Sequence, residues 1–130
     1  MTAARAAVAA VAVLVIAWLA VMERDAALEA RAAPAQQPGA SAALLARAEG
    51  DLRDARFLNP DSAPQISLAA VLRARGDEAG ALAEMAGVVR REPDNLRAWL
   101  AYALLAEGTD PAAVERARAE LRRLDPLNAR

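Results

Sequence analysis

The chain contains no cysteine, no histidine and no lysine, and aromatic side chains make up only 3% of its 130 residues. Without cysteine there are no disulfides and no thiolate nucleophile. Without histidine the commonest metal ligand and the usual neutral-pH general base are missing too. All sixteen cations are arginine, set against seventeen acids for a net charge of −1. Such a balance offers no basic stripe for phosphates, so no nucleic-acid partner is expected. Scarce aromatic and β-branched residues argue against strands, whereas abundant alanine, leucine, arginine and glutamate favour helix. An all-α fold follows. Hydrophobic residues reach 56%, but alanine supplies more than half of that share and buries little area per residue.

One long apolar run is present. Between Arg5 and Glu23 the chain reads "AAVAAVAVLVIAWLAVM", residues 6–22, without a polar side chain. As a helix it is about 25 Å long, at the short end of what crosses a hydrocarbon core of about 30 Å. Arg5 can snorkel at one end, and Trp18 lies near the other, where an indole suits the headgroup layer. A single-pass membrane anchor is expected. One rival is a cleaved signal peptide, for which "WLAVMERDA" is a poor small-residue site and "ARAA" further on a better one; the other, a buried core helix, lacks a second stretch of similar apolarity to pack around it. A very short N-terminal tail before the apolar run fits a signal anchor that leaves the C-terminal part outside the cytoplasm.

Residues 1–33 therefore comprise the anchor and a juxtamembrane helix, with "ERDAALEARAA" continuing the helix. Residues 34–40, "PAQQPGA", form a Pro/Gly linker that acts as a short tether. Residues 41–130 form a helical domain. Ser41 caps a helix whose stripe is Leu44, Leu45, Ala48, Leu52, Ala55 and Leu58. Ser62 and Asp77 cap the next two helices, the first ending at Gly76; Ile66, Ala69 and Ala70 face Ala81, Met85, Val88 and Val89 across that pair. Asp94 caps "NLRAWLAYALLAE", Gly108 stops it, and Asp110 with Pro111 opens a last helix carrying Val114, Ala117, Leu121 and Leu124 on one face. The charged remainder of that last helix is read as a solvated face.

Three prolines, Pro60, Pro93 and Pro126, are spaced 33 residues apart. A fixed period of this size marks stacked supersecondary units. "PDNLRAWLAYALLAEG", with Trp99 six residues after Pro93 and then Tyr102 and Ala103, resembles the tetratricopeptide repeat, a helix pair of about 34 residues. In the preceding unit Ala70, Gly76, Ala81, Met85 and Pro93 resemble the same pattern. The likeness covers units 60–92 and 93–125 with an end at 126–130, and residues 41–59 resemble the second helix of a partial unit. Ile66 and Arg118 depart from the pattern, standing where the family has aromatic residues. The resemblance implies a short α-solenoid of antiparallel helix pairs behind a transmembrane helix.

It also implies a concave protein-binding groove, lined by Ser67, Val71 and Ala74 in the first unit and by Arg97, Leu100, Leu104 and Glu107 in the second. These side chains do not make the paired polar clamp with which some members hold a terminal carboxylate. Residues 99–106, "WLAYALLA", are apolar around the whole helix, so Leu100 and Leu104 need cover from a partner or from the chain itself. The expected function is a non-catalytic, membrane-tethered protein–protein interaction module, a scaffold or assembly factor for an envelope complex. Members of this kind occur in cytochrome c maturation and polymer export. The alternative is a structural subunit that self-associates into a homo-oligomer. Asp51 with Asp54, and Asp77 with Glu78, are read as surface and capping residues, and no catalytic, cofactor-binding or metal-binding residue is expected.

Overall fold

A computed structural model describes residues 3–57 and 59–127. Leu58 of the expected stripe and Asn128 to Arg130 at the expected end lie outside the described residues. Within them the chain is all-α: α1 (Ala3–Ala32), a 3-10 turn (Ala33–Gln36), α2 (Ala42–Ala55), α3 (Ala63–Ala74), α4 (Glu78–Arg91), α5 (Leu96–Ala106) and α6 (Pro111–Leu124). Each helix packs on its neighbours in the chain, so α1–α2, α3–α4 and α5–α6 form three antiparallel pairs stacked in sequence.

The first pair differs from the expected organisation. α1 runs without a break from the apolar stretch into the array, where Asp25, Leu28 and Ala32 are buried against α2. The partial unit at 41–59 is therefore completed, with α1 as its first helix. Residues 34–40 are a packed turn rather than a loose tether. Ala35 is buried there, and the 3-10 turn contacts α1, α2 and α3. Alanine in the turn lets three helices converge around it.

Three of the expected caps form. Ser41 Oγ accepts from the Leu44 amide at 3.2 Å, Asp77 Oδ1 from Gly80 at 2.8 Å and Asp110 Oδ1 from Ala113 at 2.9 Å. Gly80 suits its place because an added Cβ would lie 2.3 Å from the capping Asp77 carboxylate. Gly76 and Gly108 end their helices with φ of +85° and +83°, a conformation that disfavours side chains.

Two caps differ. Asn95, not Asp94, caps α5 by accepting from the Ala98 amide at 3.0 Å. Ser62 does not cap α3, since its hydroxyl donates to Glu92 at 2.9 Å and accepts from Asn95 at 3.1 Å, and Asp61 accepts from the Ala63 amide instead. In both cases a tertiary partner competes for the side chain that local sequence assigns to a helix end.

Trp99 donates its indole N–H to the Pro93 carbonyl at 2.8 Å, which gives the six-residue spacing of proline and tryptophan a physical cause. Arg123 donates to the same carbonyl at 3.1 Å and to Asp94 at 2.9 Å, drawing the end of α6 onto the joint between α4 and α5. The core between pairs contains Leu52, Leu68, Val71, Met85 and Val88 with alanines filling the closest contacts. Leu52→Ala is expected to cost about 2–5 kcal/mol in urea unfolding. A chain beginning at Glu23 should unfold in one transition, and one beginning at Ser41 at a distinctly lower Tm; equal Tm values would mean that α1 contributes nothing to the array.

Candidate protein-binding groove

The first helices of the second and third pairs, α3 and α5, border a groove of about 470 Å³ lined by Ile66, Ala69, Ala70, Arg73, Ala74, Ala101, Leu104 and Leu105. The α3 members recur at three- and four-residue intervals, as one face of a helix requires. A smaller cavity of about 230 Å³ shares Ala70 and Ala74 with it and is bounded by the Gln36–Ala40 turn. The two make one concave surface. Its wall is formed by α3 and its far end by the turn that follows α1.

Of the expected groove residues, Ala74 and Leu104 line this surface. Arg97, Leu100 and Glu107 are exposed on α5 but lie outside the lining, and Ser67 is half-buried. Val71 is a correction: it is fully buried in the core. The error is one of register. Val71 corresponds to Leu104 at the 33-residue spacing of the prolines, but the buried face of α3 recurs in α5 at 34: Pro64, Leu68 and Leu72 become Ala98, Tyr102 and Ala106. At that step Ala70 matches Leu104 and Ile66 matches Leu100. Ile66 and Ala70 were expected at the α3–α4 contact; Ala70 is instead exposed, and both line the groove. The signal that finds them is the spacing of the large buried residues, which the more conspicuous proline spacing hides.

Leu104 is 57% exposed and Leu100, one turn earlier, 47%. α1 packs against α2 and the following turn against α3, so neither covers these leucines. Tyr102 is buried with its ring edge-on to Trp99 at 5.9 Å, and its hydroxyl accepts from Arg116 at 3.4 Å. The face opposite the leucines is thereby fixed. Arg73 places a cation at the groove, and the described residues supply no acidic partner for it.

Carboxylates gather elsewhere, between α1 and the α2–α3 joint. Asp25 is buried with Oδ1 accepting from Arg24 at 3.3 Å and Oδ2 without a partner. Burial raises the Glu29 carboxyl above its ordinary value, and the nearby charges of Asp61 and Asp25 raise it further. Among the described residues no group of three or more such side chains is placed to hold a metal ion.

Compared with protein-family models, curated proteins and solved structures, the chain matches none.

The Glu29 carboxyl gives a pH test. Its folded-state pKa lies above the unfolded one, so its contribution favours folding at low pH and is lost as pH rises from about 4.5 through the folded pKa. Glu29→Gln is expected to raise Tm at pH 7, with the gain vanishing below about pH 4, where the carboxyl is protonated in both states. An unchanged Tm at pH 7 would contradict the assigned burial and crowding.

Proposed function

We propose that the chain is a membrane-tethered protein–protein interaction module of the tetratricopeptide type, which uses the α3–α5 groove to hold a segment of another protein while an envelope complex is assembled or positioned. The observation that carries this reading is the pair of uncovered leucines, Leu100 and Leu104, beside an apolar groove on a fixed scaffold. Exposed apolar surface of this kind marks interaction sites. A partner segment would offer an apolar stripe to Ile66, Ala70, Leu104 and Leu105 and an acid to Arg73, as an amphipathic helix does when it enters a groove.

Support for the tether comes from α1. It is long and apolar enough to cross a membrane by length and composition, and its first turns make no contact with the array.

A photoreactive side chain at Leu104 in intact membranes tests the groove. Capture of one distinct protein, absent when the probe is moved to Arg118 on the exposed face of α6, is the expected outcome. Capture of only the chain itself would replace this reading with the self-associating subunit. Leu104→Glu should weaken the captured complex at least about tenfold, as loss of a central anchor does, without lowering Tm, because the side chain is exposed.

A further inference from the structure

The large exposed apolar side chains fall into three places. Val8, Val11, Val13, Leu14, Val15, Ile16, Trp18 and Leu19 lie on the anchor, Leu100 and Leu104 beside the groove, and Phe57 and Leu127 at 69% and 85% exposure remain. Phe57 belongs to the joint between the first and second helix pairs, and Leu127 follows the end of α6. The joints share one end of the array. Ser62 meets Glu92 and Asn95, and Arg123 meets Pro93 and Asp94, so joints 57–62 and 92–95 and the end of α6 are linked by hydrogen bonds.

That end is also where α1 enters the array. α2 runs back along α1 from the turn at Ala33–Gln36, and the Arg31–Asp51 ion pair at 4.0 Å sets their register, so Phe57 lies about level with Asp25, just past the half-buried Val21 and Met22 where burial on α1 begins. These are the last residues of the apolar run. A helix rises 1.5 Å per residue, which leaves Phe57 within about a turn of the boundary between the apolar run and Glu23. Trp18 lies one turn to the apolar side of that boundary.

The charges at this end suit phosphate headgroups. In the last turns of α2, α4 and α6, Arg90, Arg91 and Arg122 have no acidic partner among the described residues. Asp54 is the unpaired acid in those turns. Of the joint acids, Asp94 is paired with Arg123, whereas Asp61 and Glu92 accept from neutral donors and keep their charge among these arginines. Such a rim of arginines around an apolar tip is what a lipid surface recognises.

We infer that the joint end of the array rests on the bilayer surface, with Phe57 placed in the headgroup layer as a second lipid contact beside the anchor. This rests on α1 spanning the membrane. An aromatic ring at that depth holds the array against the lipid and limits its tilt. Leu104, more than two turns along α5 from the joint at 92–95, stays in water.

The chain has no cysteine, so single substitutions Trp18→Cys, Phe57→Cys and Leu104→Cys can each carry a nitroxide. The full chain is reconstituted in vesicles of phosphatidylcholine and phosphatidylglycerol, and collisions with oxygen are compared with those of a water-soluble nickel chelate. The expected oxygen-to-nickel ratio at position 57 is several-fold above that at 104 and approaches that at 18. A ratio at 57 equal to that at 104, with 18 lipid-like, would overturn the surface contact and leave the anchor intact. An aqueous ratio at 18 would overturn both. Phe57 is exposed, so its replacement leaves the fold in place; unchanged helical circular dichroism is the accompanying check.

Discussion

Half of the buried apolar positions among the described residues are alanine, among them Ala32, Ala48, Ala55, Ala81, Ala98, Ala113 and Ala117. A methyl group at a helix crossing sets a short distance between backbones, and every other feature of the stack is arranged around that distance. Close approach yields dense packing but little apolar area per contact. A helix pair of this composition cannot hold itself together, and each pair depends on burial against the next. The larger side chains, Leu52, Leu68, Val71, Met85 and Val88, are fully buried in the same core. The tail of α1 matters for the same reason, because it gives α2 a partner on the side where the array would otherwise end.

At the joints between pairs, polar chemistry adds to that burial. The Pro93 carbonyl accepts both Trp99 and Arg123, and Ser62, Glu92 and Asn95 close a small network across the adjoining joint. Proline carries no amide hydrogen and interrupts the preceding helix, which exposes a carbonyl for such use. At Pro93 that acceptor is satisfied by side chains of α5 and α6.

Much of this was legible in the sequence. Helix composition, the caps at Ser41, Asp77 and Asp110, and the stops at Gly76 and Gly108 depend on neighbours within a few residues, and they follow from local rules. Ser62 and Asp94 did not, because their partners, Glu92, Asn95 and Arg123, lie about thirty residues away in the chain and outcompete the nearby amide. The groove was half legible. Leu104 and Ala74 were found, while Val71 was placed on the wrong face because the joints repeat at one spacing and the buried face of the first helices at another. The role of residues 23–40 was hidden by polarity: a stretch with Glu23, Arg24, Asp25 and two prolines reads as a tether, although Leu28, Ala32 and Ala35 form a narrow apolar line through it.

The unbroken helix from Ala3 to Ala32 fixes an azimuth as well as a height. Each residue in a helix turns the chain by about 100°. The sides of the apolar run and the open side of the groove are thus locked in phase, like marks cut on one shaft. If α1 crosses a membrane as proposed, a protein crossing beside it meets the groove from a single direction. Inserting one residue between Met22 and Asp25 would keep Asp25, Leu28 and Ala32 in their places and turn the groove about a quarter of a circle away from it.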